Sequence, residues 1–191
     1  MVDVDVLQQL QDIAIFKQKI DKVIAKNSVN KKIMAVDFGT KKIGIALSDE
    51  AGLLAFPKDI LIGDWLSVDA VIGVIMQQIN MYHPVAIVFG LPKTLHGELH
   101  KNCQIIISVA ENINKILPVL LFDERFTTQL ANRNIYEKQM LFYNGKKNNN
   151  RKANSFHHDD SLSAMIVLND VLKRLSSSSI FTNCMTVLSN K

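Results

Sequence analysis

The sequence predicts an α/β protein with a mixed five-stranded sheet and helices on both faces. Three observations lead there. Five short apolar runs of strand length, at about 32–38, 42–49, 53–62, 85–89 and 119–122, are bounded by Gly, Pro or acidic residues. The first three follow one another through turns alone, which implies an antiparallel meander. The last two alternate with stretches whose apolar residues recur at three- and four-residue steps, which implies helices and parallel pairing.

Each element has its own signals. Residues 1–27 read as one amphipathic helix with Val6, Leu10, Ile13, Ile20 and Ile24 on its stripe and Lys17 interrupting it. Docking on the core is the expectation, with self-association as the alternative. Asn27–Asn30 reads as a linker. The first strand ends at Gly39 and shows no alternation, so it is expected to be central. The second alternates at Ile43, Ile45 and Leu47, so one of its faces is expected to be wetter. Asp49 to Gly52 marks the next turn. Ser67 is expected to cap a helix over 68–82, with Val68, Val71, Ile72, Ile75 and Ile79 inward and Pro84 closing it. Helices are expected over about 98–115, after Gly90-Leu91-Pro92, and about 128–140, after Thr127 or Thr128. The last is expected from Asp159 or Asp160 to Leu175. Three segments result: a helix and linker at 1–30, a globular domain at 31–175 and a flexible tail at 176–191.

Composition narrows the function classes. The chain of 191 residues is 48% hydrophobic and 21% charged, enough for a packed core and too apolar for wholesale disorder. Two cysteines, Cys103 and Cys184, are too few for a disulfide framework or a zinc site and fit a reducing cytoplasm. Asp3, Asp5 and three glutamines at the start argue against a signal peptide, and no apolar run is long enough to span a membrane. The formal charge of +4 resides in one segment: Lys146, Lys147, Arg151 and Lys152 fall between Gly145 and His158 with no acid among them. Such a loop is either plainly solvated or a contact for phosphate.

The acids carry the chemistry. In open α/β sheets ligands bind beyond the carboxyl ends of the parallel strands. Asp37 ends the first strand, Asp123 and Glu124 end the fifth, and Asp160 opens the last helix. Two such carboxylates about 4 Å apart repel by about 4 kcal/mol at an effective dielectric near 20. A hard divalent cation relieves that, and oxygen-only ligands suit Mg²⁺ or Mn²⁺. A pair of such ions can activate water and stabilise the leaving oxygen of a phosphodiester. Taken singly, each acid has a plainer reading: a turn residue at Asp37, an N-cap at Asp160 or Asp159, a surface ion pair with Arg125 at Asp123-Glu124. His157 and His158 beside Asp160 are either loop residues or aids to proton transfer. Lys41, Lys42 and Lys93 could line a nucleic-acid track, and Trp65 reads as packing.

The stretches "MAVDFGTKKIGIALSD", "IVFGLP…HGE", "VLLFDERFTTQLA" and "DSLSAMIVL", in that order over about residues 32–172, resemble the YqgF (RuvX) family, the pre-16S rRNA nucleases or Holliday-junction-resolvase-like proteins. The resemblance implies an RNase H-like fold and a metal-dependent nuclease acting on structured nucleic acid. It carries the catalytic, metal-binding acids onto Asp37, Glu124 (or Asp123) and Asp160. With them Arg125, Lys146, Lys147, Arg151 and Lys152 would position the substrate backbone, and Thr40 and Lys41, with Gly39, would shape the approach. Ser163-Ala164 stands where the family usually has two alanines, and the residues after Pro92 depart from the common type. The substrate is either precursor 16S rRNA or a four-way DNA junction, the latter requiring a homodimer rather than a monomer. A non-catalytic RNA-binding assembly factor and an actin- or sugar-kinase-like ATPase are the alternatives of another class.

Overall fold

β1 (Ile33–Phe38) is buried on both faces because it is paired on both sides. Its apolar run without alternation is what such a position requires. A computed structural model describes residues 4–26, 31–91, 103–123 and 159–188. Within them, β2 (Lys42–Ser48) runs antiparallel to β1, and β3 (Ala55–Ile62) antiparallel to β2. β4 (Ala86–Leu91) runs parallel to β1, and β5 (Val119–Asp123) parallel to β4. The order is β3-β2-β1-β4-β5, the mixed sheet that the sequence predicts.

Helices cover both faces. α3 (Val68–Tyr82) and α4 (Cys103–Ile113) close one core with Met34, Val36, Phe38, Ile43, Phe89 and Leu121. α5 (Asp159–Leu188) closes the other over Ala35, Ala46, Val88 and Phe122. β2 has no wet face: residues 43–48 are all buried. Ala46 opposite α5 is small enough for a helix to lie close, so its lack of bulk is a packing device and not a sign of exposure. Ser67 takes the N-cap position of α3 with extended backbone, but its side chain makes no cap bond. His83 ends that helix in the left-handed region at φ 49°. Tyr82 donates to Asp59 and so joins α3 to β3.

The N-terminal stripe forms two helices, not one. α1 (Val4–Gln11) and α2 (Ile13–Lys26) part at Asp12, whose Oδ1 accepts the amides of Ala14 (2.7 Å) and Ile15 (3.1 Å). That is an N-cap, and it lets the chain turn. Leu10 enters the α3–α4 core while Phe16 and Ile20 enter the α5 core, so the break lies where the chain passes around β5 from one face to the other. The expected docking is observed. At the other end α5 continues past Leu175 to Leu188, through the serines expected to unwind it. Ser176 and Ser177 each donate to the Lys173 carbonyl at 2.8 Å, so their hydroxyls are satisfied inside the helix. No helix among the described residues is long and apolar enough to cross a membrane.

Two bonds fix α5 and β1 at the amino-terminal edge of the sheet. Ser48 Oγ accepts the buried amide of Ile33 at 2.9 Å, and Asn169 Oδ1 on α5 accepts the amide of Ala55 at 3.2 Å. Asn169 is 8% exposed, so truncating it orphans a buried donor. Asn169→Ala is expected to lower the urea-unfolding free energy by about 1–3 kcal/mol. The Tyr82 hydroxyl is pushed from 10.0 to about 12, first by burial and then by its bond to Asp59 and that carboxylate's charge. Between these values the folded chain keeps a proton that the unfolded chain has lost, so stability falls as pH rises from 10 toward 12. Melting curves across that range should show the fall in the wild type and less of it in Tyr82→Phe.

Candidate active site

Asp37 is the fifth residue of β1 and lies half-buried among buried neighbours. Val36 and Phe38 point into the α3–α4 core, so alternation turns Asp37 to the α5 face, with Ala35. Its partner across β2 is Gly44, which pairs in turn with Ile60 of β3. The next turn is tight: the Gly39 amide donates to the Lys42 carbonyl at 2.8 Å, and a Cβ on Gly39 would meet that same oxygen at 2.8 Å. Glycine there lets the hairpin close directly beyond Asp37.

The fifth strand separates the two acids expected at its end. Asp123 pairs with Leu91, and Leu91 belongs to the α3–α4 core. Paired residues share a face, so Asp123 lies on that side, opposite Asp37. Phe122, one residue earlier, faces α5 and lies under the Arg174 guanidinium at 4.9 Å. The two strands flank β4, about 10 Å apart at two strand spacings. Asp37 and Asp123 therefore share an edge of the sheet but not a face.

α5 packs over the face to which Asp37 turns, and Asp37 itself marks the carboxyl edge of β1. Asn169 lies at the opposite edge, bonded to Ala55 where β3 begins. The buried stretch of α5 extends from Ser161 to Leu172, and most of it precedes Asn169. From Asn169 back to Asp160 is about 14 Å of helix, and from Ile33 to Asp37 about 13 Å of strand. Asp160 lies in the first turn of α5, which packs on the face that Asp37 occupies, although its side chain lies outside the described positions. Glu124, Arg125, Lys93, Lys146, Lys147, Arg151, Lys152, His157 and His158 also lie outside the described residues.

The hairpin residues are placed. Thr40 is half-buried and Lys41 exposed, and Lys41 pairs with Asp64. Both members are well exposed, so the pair contributes little to stability and leaves the ammonium accessible. The Thr40 carbonyl accepts the Trp65 amide at 2.9 Å and the Lys41 carbonyl that of Gly63 at 3.0 Å. The segment after β3 is thereby fastened to the hairpin, a neighbour that sequence reasoning missed. Its one signal was Gly63: Trp65 folds over it so closely that a Cβ on residue 63 would lie 2.7–3.0 Å from the indole carbons.

A cation fits what is described. Asp37 offers a hard oxygen donor at an open sheet edge, while Cys103 is buried in the α3–α4 core. Among the described residues no three His, Cys, Asp or Glu groups gather as a metal set.

A family model described as RuvX, Holliday junction resolvase, matches residues 31–174. A protein of Rickettsia bellii named "Putative pre-16S rRNA nuclease" is 33% identical over 149 residues, spanning 77% of this chain and 89% of its own. A protein of the same name from Sulfurihydrogenibium sp. is 34% identical over 156 residues, spanning 80% and 97%. The structure of T. thermophilus RuvC in complex with a Holliday junction substrate superposes with a TM-score of 0.51, covering 77% of this chain and 97% of that one, at 14% identity. That last likeness is one of fold. From the family match over most of its length and relatives above 30% identity, the chain belongs to the RuvX (YqgF) family and has its RNase H-like fold.

Proposed function

We propose that the protein is a metal-dependent endonuclease that hydrolyses a phosphodiester near the 5′ end of precursor 16S rRNA. The observation that carries this is Asp37: a half-buried carboxylate near the end of the central strand, on the face over which α5 packs. A carboxylate at such a position is a hard oxygen donor of the kind Mg²⁺ or Mn²⁺ takes. Relatives named as pre-16S rRNA nucleases support the choice of substrate.

Asp37, Glu124 and Asp160 would hold Mg²⁺ or Mn²⁺. Glu124 is preferred to Asp123 because Asp123 lies on the face opposite Asp37. When bound, the cation supplies a Lewis acid for the phosphoryl oxygens and lowers the pKa of water. The chain's own part is to orient and neutralise. Lys41 and Thr40 border the approach, and Arg125, Lys146, Lys147, Arg151 and Lys152 offset the charge of the substrate backbone. A four-way DNA junction is the second reading, favoured by the description of the matching family model.

The test is cleavage of a precursor rRNA fragment and of a four-way junction side by side, with Mg²⁺ or Mn²⁺. Precursor cleavage is expected to exceed junction cleavage. Asp37→Asn or Asp160→Asn should each slow it at least about a hundredfold, equivalent to about 3 kcal/mol of transition-state stabilisation, with RNA affinity nearly unchanged. Normal cutting by both variants would remove the metal site. Neutralising Lys146, Lys147, Arg151 and Lys152 together should flatten the dependence of log affinity on log salt by up to about 3. An unchanged slope would return that loop to plain solvation.

A further inference from the structure

Val36 of β1 pairs with Phe89 of β4, and both strands continue, so Asp37 stands beside Gly90. Gly90 pairs in turn with Phe122 of β5. Asp37, Gly90 and Phe122 therefore form one row across three parallel strands, and members of a row share a face. It is the α5 face, since Phe122 packs in the core that α5 closes. Gly90 has no side chain, so none from β4 stands between the carboxylate and the phenyl ring at that level. Over the ring lies the Arg174 guanidinium, 4.9 Å from the centroid. Its Nη2 also donates to Asp170 Oδ2 at 3.2 Å, one turn back on α5. The Arg174 side chain is nonetheless 44% exposed.

A cation over an aromatic ring and an exposed pair four residues apart on a helix are ordinary stabilising contacts. The place of this one is not ordinary: the ring beneath it belongs to the row that holds Asp37, two strand spacings or about 10 Å away. We propose that Arg174 grips a phosphate of the substrate strand close to the phosphodiester cut at Asp37. This rests on the nuclease reading and adds to it a contact on α5, separate from the basic loop. A guanidinium carries five N–H donors in a planar fork that matches phosphate oxygens in pairs. Phe122 beneath it and Asp170 beside it hold that fork before the substrate arrives, so less side-chain freedom is lost on binding. A stacked strand rises about 3.4 Å per nucleotide, so about 10 Å places the gripped phosphate within about three nucleotides of the cut.

The full chain is held in EDTA, so that no cutting competes with binding, and its affinity for a labelled precursor rRNA fragment is measured across salt concentrations. Arg174→Gln is expected to flatten the slope of log affinity against log salt by about 0.7–0.9, the share of one phosphate contact, and to weaken binding at least about fivefold. Arg174→Lys keeps the charge and is expected to retain the slope. Lys115→Gln is the control: Lys115 is an exposed cation on the turn before β5, at the other edge of the sheet, and its loss is expected to leave the slope unchanged. An unchanged slope in Arg174→Gln overturns the grip even where the melting temperature falls, because a cap on Phe122 acts on stability and not on salt dependence. Equal flattening by Lys115→Gln also overturns it, since any surface cation would then serve. Both results leave the nuclease reading standing. A wild-type chain that binds no RNA removes the nuclease reading and the grip together.

Discussion

The pairing register of β1 sets which side of the sheet each acid faces. β1 is held by β2 on one side and β4 on the other, and a slip of one residue would turn Asp37 into the α3–α4 core and force Val36 and Phe38 into the α5 core, which is packed around smaller residues such as Ala35. Several contacts oppose that slip. Ser48 fixes the first amide of the strand, Gly39 closes the hairpin at its end, and buried apolar residues on both faces fill complementary layers. The register around Asp37 must be held by apolar packing. The buried neighbours on either side, Val36 at 1% and Phe38 at 8% exposure, show how that is met.

The same register separates Asp123 from its neighbours in function. β5 ends on Asp123, whose pairing with Leu91 turns it away from the face of Asp37. Helix α5, anchored by Asn169 to the first residue of β3, lies over β1, β2 and β3 on the face of Asp37. Small side chains on β2 let it approach.

Much of this was legible in the sequence because the signals are local. The five strands, their order of direction, and α3 follow from apolar periodicity and from Gly and Pro positions. The N-terminal break was not legible, because Asp12 sits inside a continuous apolar stripe and its capping role depends on the chain turning around β5. Ser176 and Ser177 misled for the opposite reason: serine is a weak helix former in isolation, and bonding to Lys173 removes the competition with the backbone. The face of Asp123 could not be read without knowing its partner, Leu91. The site's edge was predicted from strand ends, but its border with the 63–66 turn was not, since those bonds run from backbone to backbone and leave no mark on residue type.

The N-terminal helices lie outside the stretch matched by the family model, yet they wrap the free side of β5. That leaves β3 as the remaining lateral border of the sheet among the described residues. Its ladder is irregular between Gly44 and Ala46 of β2, and Pro57 has no amide hydrogen to offer. Among the described residues, addition of a further strand is discouraged at the β5 flank by a helical cover, while on β3 Pro57 removes one amide donor from the strand.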